Sequence, residues 1–439
     1  MKPSGAVRLR PGPAEDSDYS GRLLTGSLLI VTHFYPPSAM VAARRPAGLT
    51  KYLRRLGYRV TVLTSRAWAD APPEEGVVRT GDLMASRLNW RRANMRAWVG
   101  GGDDYESGSS RLAQVVVPDT ALVTWLPYLV PNAVRLARSE RFDCVITTSG
   151  PESVHLAGLA LQPSMGWIAD LRDGWGFETL HSWPTGVQAR LDRALERAVA
   201  RRSDLMTAVS EPLAEDLRER LGADAYAVTN GFDPDEVPPR KGTHGLLDAG
   251  RRSLVHTGRM ASSQRSPKPL LEAVRLLRSR GAAAARMLEL VFAGPLTAEE
   301  RALLEAPDLS GMVRHVGNLD REDALRLQRE ADALLLLTAG TRRGEATGKL
   351  YEYLGAERPI LVLGDETEAA RIVREADAGE VAPAGEPEAI ATALERLPAG
   401  GAAPGASRAS AYAYPEIARR YAELVELARE RARARKTSR

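Results

Sequence analysis

The sequence predicts an α/β protein built from two doubly wound parallel-sheet domains that face a cleft. Three observations predict it. Short apolar runs alternate with helix-periodic segments through both halves of the chain. A stretch dense in Pro, Gly, Lys and Asp, residues 236–250, separates the halves as a linker. The chain has 439 residues, of which 44% are hydrophobic, and this suffices for two cores of ordinary size.

Residues 1–21 are rich in Pro, Gly, Ser and Asp and lack an apolar segment, so they read as a disordered leader and not as a signal peptide. The first domain is expected over 22–235. It opens with a strand at Ser27–Thr32, a loop, a helix over Pro46–Leu56 stopped by Gly57, and a strand at Arg59–Thr64. Strand, helix and strand within about forty residues form a βαβ unit, which implies parallel pairing. Residues 68–130 read as an insertion. They hold Trp68, Trp90, Trp98 and Trp125 and a Gly/Asp/Ser-rich stretch, and both an acceptor-binding lid and a mobile loop fit them. The alternation resumes with a strand at Phe142–Ser149, a helix over Ser153–Leu161, a strand at Gly166–Asp170 and an amphipathic helix over Val187–Arg201. A strand at Asp204–Val209, a helix over Pro212–Leu221 capped by Ser210, and a strand at Tyr226–Thr229 complete it.

The second domain is expected over 251–408. Strands are read at Ser253–His256, Leu288–Ala293, Val313–Val316, Ala333–Leu337 and Ile360–Leu363. Helices are read over Lys268–Arg278, Thr297–Glu305, Glu322–Ala331, from Gly348 to Leu354, and over Pro387–Leu397. Residues 409–431 hold a long terminal helix, Tyr414–Arg431, expected to pack back toward the first domain, and 432–439 read as a fraying basic tail.

Composition narrows the function. A net charge of only +4 and 5% aromatic residues argue against a nucleic-acid partner. A single cysteine, Cys144, excludes a disulfide framework and a cysteine-cluster metal site, and fits a reducing, cytoplasmic compartment. The six histidines show no metal-ligand spacing, so no bound metal is expected. No run of eighteen apolar residues is long enough to span a membrane. Neither the P-loop nor the dinucleotide fingerprint occurs.

Five stretches carry candidate chemistry. The loop 338–348 holds Gly340, Gly344 and Gly348 and runs into a helix start bracketed by Glu345 and Glu352. Its amides and dipole suit a phosphate or hydroxyl-rich ligand, and an ordinary loop-helix-strand unit is the other reading. Thr257-Gly258-Arg259, followed by Arg265 and Lys268 at a helix start, suits a diphosphate, with a solvated basic loop as the alternative. Asp170, Arg172 and Asp173 end a strand, where they bind something or pair with one another. His33 ends the first strand, either as a functional group or as a capped loop residue. Arg44 and Arg45 start a helix, where the dipole disfavours cations, and so point to an anionic ligand or an acidic partner. With Lys51, Arg54 and Arg55 they form a basic cluster that reads as a plain solvated face or as a peripheral contact with anionic lipid at the inner face of the membrane.

Taken in order, these segments resemble the retaining, family-4-like glycosyltransferases of the two-Rossmann-domain GT-B fold (glycosyl transferases group 1). The run from Leu28 to Ser65 is similar to the family's first strand, loop, helix and second strand. Asn230-Gly231-Phe232-Asp233 resembles its Asn-Gly signature, the stretch 256–277 its donor-diphosphate segment, 313–337 the piece over the nucleotide base, and 338–365 its glutamate motif. The resemblance implies a nucleotide-sugar donor, no cofactor or metal, and a glycan, lipid-linked or small-molecule acceptor. It implies that Arg259 and Lys268 hold the diphosphate with Gly258 and Arg265 beside them, that Gly348, Lys349 and Leu350 approach the diphosphate or the sugar, and that Glu352 accepts from the ribose hydroxyls. Asp173 joins the catalytic set, and His33, Ser38, Asp170 and Arg172 lie on the acceptor or sugar side. This chain departs from the family in four respects. Six residues, not seven, separate Glu345 from Glu352, and Gly344 stands at the expected register. Arg259 and Lys268 are further apart than usual, so Arg265 is an alternative to the lysine. Ser38-Ala39-Met40 replaces the usual glycine pair, and Asp170–Asp173 stands where many members have a histidine. A sugar-nucleotide epimerase and a catalytically inactive nucleotide-sugar-binding subunit are the alternative functions on this fold.

Overall fold

A computed structural model describes residues 26–38, 40–67, 72–83, 115–162, 165–179, 182–239, 245–260, 265–398 and 401–437. The first sheet contains β1 (Ser27–Thr32), β2 (Arg59–Ser65), β3 (Val77–Thr80), β4 (Cys144–Thr148), β5 (Gly166–Leu171), β6 (Leu205–Ala208) and β7 (Ala225–Ala227). The second contains β8 (Arg252–Thr257), β9 (Leu288–Ala293), β10 (Val313–His315), β11 (Ala333–Leu337), β12 (Ile360–Leu363) and β13 (Gly379–Ala382). Twelve described helices have seven residues or more. Those of the first half are α1 (Arg44–Arg55), α2 (Leu126–Ser139), α3 (His155–Leu161), α4 (Gly186–Arg202) and α5 (Glu211–Leu221). Those of the second half are α6 (Lys268–Ser279), α7 (Ala298–Leu304), α8 (Arg321–Glu330), α9 (Gly348–Ala356), α10 (Glu368–Glu375), α11 (Pro387–Arg396) and α12 (Tyr414–Thr437).

All strand pairs within the two sheets are parallel, in the orders β3-β2-β1-β4-β5-β6-β7 and β10-β9-β8-β11-β12-β13. Strands β1, β4 and β5 are buried along their whole length, as are β9 and β11, because helices cover both faces of each sheet. The order reverses between β1 and β4 and again between β8 and β11. Ligands of such sheets bind in the crevice outside the carboxyl ends of the strands at those reversals.

Helix α12 returns from the second half and packs on α1 and β5. It places Ile417, Tyr421 and Val425 in one buried cluster with Leu28, Ile30 and Leu53. The tail expected to fray over 432–439 is helical as far as Thr437. The cause is polar anchoring: Arg435 binds Asp204 and the carbonyls of Gln162 and Met165, and Arg431 binds Asp224. Part of the expected insertion is ordered too. Strand β3 extends the first sheet, and Trp125 is fully buried and donates to Thr80 Oγ1 at 2.8 Å. The leader at 1–21, the rest of the insertion (68–71 and 84–114, with Trp68, Trp90 and Trp98) and linker residues 240–244 lie outside the described residues.

Candidate functional site

A cleft of about 770 Å³ lies between the two halves. Ser38, Arg44, Arg172 and Asp173 line it from the first half, and Arg321, Gln328, Gly348 and Glu352 from the second. Gly348 is the first residue of α9, and Thr347 before it caps the helix without using its side chain. That hydroxyl is buried and has no partner, so the helix start carries a free polar atom as well as its own unpaired amides.

Glu352, one turn into α9, is the centre of a charge network across the cleft. Arg44 of α1 and Arg321 of α8 both donate to its Oε1, the latter at 2.8 Å, and Gln328 Nε2 donates to Oε2 at 3.3 Å. Arg321 also reaches Glu236. Burial pushes the Glu352 carboxyl up, but Arg44 and Arg321 outweigh it and hold the group below the usual carboxylate range. Gln328 is 1% exposed and its Oε1 has no partner.

The glycine loop adds a second cluster. Glu345 is buried and does not line the cleft. Its Oε1 accepts from Arg265, with Nε at 2.9 Å, and its Oε2 from Ala339 N at 2.9 Å. The predicted pair of glutamates therefore divides: Glu352 lines the cleft, whereas Glu345 braces the loop. Arg265 is engaged with Glu345, and Lys268 is exposed at the first position of α6. Lys349 Nζ donates to the Arg259 carbonyl at 2.7 Å. Burial, and then Arg265, lower the Lys349 pKa to about 8. Gly258 has φ +92°, a backbone conformation that residues with a side chain rarely adopt, so the turn favours glycine. The Leu350 side chain is fully buried in the core, so only its backbone faces the helix start.

The first-half wall departs further from expectation. Asp170 is fully buried, and its oxygens accept from Arg45 Nε and Nη2 at 2.9 and 2.8 Å, from Thr148 and Thr207, and from Tyr421. Burial alone would raise its pKa, and Arg45 brings it down to about 2. Asp170 thus clamps α1 and α12 to the first sheet and does not line the cleft. Of the two readings of Asp170, Arg172 and Asp173, pairing with one another holds only in part. Asp170 belongs to Arg45, and Asp173 is 4.0 Å from Arg172, whose Nε donates to the Ser149 carbonyl at 2.6 Å. Asp173 keeps an exposed carboxylate at the cleft. His33 lies behind the wall, buried, 2.9 Å from Asp82 Oδ2 and against the Trp125 ring.

The basic cluster on α1 is consumed by internal contacts. Arg44 and Arg45 each find a carboxylate, Lys51 binds Asp233 and Asp235, Arg55 binds Asp235, and Arg54 binds the carbonyls of Val60 and Gly76. Acidic partners within the chain account for the two arginines at the helix start.

Sequence reasoning missed Arg321, Gln328 and Glu178. Glu178, in the loop after β5, has φ 46° and crosses to the second half. It accepts from Arg343 N at 2.7 Å and from Gly344 N at 3.0 Å. A carboxylate therefore stands against the glycine at the register where the family has its first glutamate, supplied from elsewhere in the chain. Nothing local to Glu178 marks it. Glu152 was missed as well: burial, and then Asp119, push its carboxyl up to about 7.

Among the described residues no three His, Cys, Asp or Glu side chains converge in a way that could hold a metal ion. Comparison with known proteins agrees with the architecture. Residues 42–236 match the model of Glycosyltransferase Family 4, and residues 251–399 match Glycosyl transferases group 1. Similar solved structures include sucrose-phosphate synthase from Thermosynechococcus elongatus, at 15% identity and TM-score 0.63, covering 91% of this chain and 98% of that one. The α,α-trehalose 6-phosphate synthase from Burkholderia multivorans matches at 16% identity and TM-score 0.60, covering 95% and 99%. HepE of Anabaena, solved in complex with UDP, matches at 14% identity and TM-score 0.58, covering 91% and 99%. At such identities the likeness is one of fold. No curated protein matches the chain. The two family models lie one on each sheet and meet at the cleft, and the chain belongs to the family 4 (group 1) retaining glycosyltransferases of GT-B fold, which take their sugar from a nucleotide-sugar donor.

Proposed function

We propose that the sugar passes to a hydroxyl of a glycan, lipid-linked or small-molecule acceptor held against the first-half wall, without a metal. The donor's ribose binds at Glu352, and its diphosphate binds between the α9 start and the cations Arg259, Lys268 and Lys349. The bond from the anomeric carbon to the diphosphate oxygen breaks while the acceptor oxygen bonds that carbon on the same face. The acceptor proton passes to the departing diphosphate. Cations and helix amides stabilise the charge that develops on the leaving oxygen. Asp173 and Arg172 hold sugar and acceptor from the opposite wall. The observation that carries this reading is Glu352 at the cleft, one turn from the free helix start and facing Arg44 of the other half. Glu345 acts through Arg265 as a brace and has no direct part.

Family membership supports a cytoplasmic enzyme, acting at the inner face of the membrane when the acceptor is lipid-linked. Among the described residues no helix is long and apolar enough to cross a membrane. The test is incubation with UDP-, GDP- and dTDP-sugars, with and without acceptor, followed by assay of nucleotide release and of the anomeric product. Acceptor-dependent release with a retained anomer is expected, and Arg259→Ala and Lys268→Ala should lose the thermal shift given by the nucleotide. Release of free, epimerised sugar without acceptor would replace the reading with an epimerase. A thermal shift without turnover would leave a binding subunit.

A further inference from the structure

We propose that the outer face of α4, with Val115 beside it, is a docking surface for an anionic lipid bilayer. Helix α4 carries Arg190, Arg193, Arg197, Arg201 and Arg202, all exposed, and none has an ion-pair partner among the described residues. Its two acids turn inward. Asp192 accepts from the indole N–H groups of Trp175 and Trp183 at 2.8 and 3.0 Å. Glu196 is buried and accepts from Gly176 N and from both terminal nitrogens of Arg220. Among the described residues the outward charge is therefore positive and has no ion-pair partner.

Apolar side chains stand out on the same stripe. Val187 is 73% and Leu191 50% exposed, one turn apart, and Val115, 68% exposed, lies alongside, its carbonyl bonded by Gln188 Nε2. Exposed aliphatic residues scattered singly mean little. Three of them together at one end of a helix whose solvent face also carries five arginines match the make-up of a helix that lies in a membrane interface. Guanidinium groups fit phosphate headgroups through paired hydrogen bonds, and the aliphatic tips enter the acyl boundary. The stripe carries no aromatic platform for stacking bases, which separates it from a nucleic-acid surface.

The position of α4 gives the surface a use. Asp192 and Glu196 tie it to Trp175 and Gly176, in the loop that carries Arg172 and Asp173 to the cleft. A bilayer on α4 would lie beside the acceptor wall and present a lipid-borne hydroxyl to it. That last step rests on the proposed function, and the docking itself does not.

The test is co-sedimentation of the full chain with vesicles of phosphatidylcholine alone and with 30% phosphatidylglycerol, in low and high salt. Binding is expected only with the anionic lipid and should fall steeply with salt. At about five-fold per arginine near the surface, Arg197→Ala with Arg201→Ala should lower partitioning about 25-fold. Leu191→Ser should weaken binding while leaving its salt dependence, and Arg396→Ala, an exposed cation on α11 of the second half, should leave it unchanged. Equal binding to neutral vesicles, undiminished binding by the double variant, or an equal loss in Arg396→Ala would overturn the proposal. So would displacement by single-stranded RNA with parallel loss in the variants, which would mark a general polyanion site. The nucleotide-induced thermal shift on the same preparations separates these failures from failure of the transferase reading.

Discussion

Replacing Arg45 by methionine removes the counter-ion of a fully buried carboxylate and leaves the carboxylate in place. Arg45 is 2% exposed; its guanidinium reaches both oxygens of Asp170 and the carbonyls of Val228 and Thr229 at 2.8 and 2.7 Å. Methionine fills similar volume without donors, so the effect is electrostatic and not a cavity. Breaking one partner out of such a pair costs about 3–5 kcal/mol, and in a domain of this size each kcal/mol moves the melting midpoint by about 2–4 °C. A fall near 10 °C is expected. All seven tryptophans lie between residues 68 and 183, so denaturation followed by indole fluorescence reports the first domain alone. The pH dependence gives a second reading. In the parent chain Asp170 titrates at about 2, below its usual value, so its stabilisation is present above the ordinary carboxylate range and is lost as pH falls toward about 2. In Arg45→Met burial raises the same carboxyl, which then favours the folded state only when protonated. The gap between parent and variant should therefore narrow as pH drops from 7 to 5. Arg45→Met with Asp170→Leu should recover most of the loss. A single-variant loss under about 1 kcal/mol, far below the cost of an unpaired buried charge, or a gap that widens on acidification, would refute the argument.

Three further outcomes follow from the cleft. Arg44→Ala frees one arginine from Glu352 and should lower the donor KM by up to about five-fold, the scale of a partly exposed ion pair; a raised KM would show that Arg44 binds the donor instead. Glu178→Gln replaces a carboxylate that accepts two loop amides by a group that accepts one, and kcat/KM should fall about ten-fold, as loss of one charge-assisted bond predicts, with little change in melting. Lys349, with its pKa at about 8, carries its proton below that value, so nucleoside diphosphate affinity measured by calorimetry should weaken from pH 7 to 9; Lys349→Met should flatten the profile, and an unaltered slope would remove Lys349 from the diphosphate site.

The order of strands and helices is legible because apolar runs such as Leu28–Val31 and Ala333–Leu337 have only one use, a strand covered on both faces. Strand β3 is harder to read because it lies at a sheet edge and three of its four residues are half-buried, so its apolar signal is diluted. Helix α10 and the edge strand β13 went unassigned for a related reason: one is short, and the other opens on Gly379 and Glu380. At the site, Glu352, Gly348, Arg172 and Asp173 line the cleft. The partners of Asp170 do not appear in any local pattern, because Arg45 lies 125 residues away and Tyr421 lies 251 away. Glu345 and Glu352 both bracket the helix start in sequence, and the fold separates them by pairing Glu345 with Arg265 and leaving Glu352 at the cleft.

The two basic helices show why charge counted along a chain misplaces surfaces. Helix α1 has five cations and no acid of its own, and sequence alone makes it the obvious basic face. In the fold, four of the five meet acids from distant segments: Asp170, Glu352, Asp233 and Asp235. Helix α4 has five arginines and two acids within seventeen residues, and sequence alone makes it the better balanced of the two. Its acids serve Trp175, Trp183, Gly176 and Arg220 inside the domain, so none of that balance reaches the surface. A charge on a helix counts toward its outer field only after the inward hydrogen bonds have been assigned. Applied here, that rule moves the proposed membrane-docking surface from α1 to α4, and leaves α1 paired to the second half through Arg44 and Glu352.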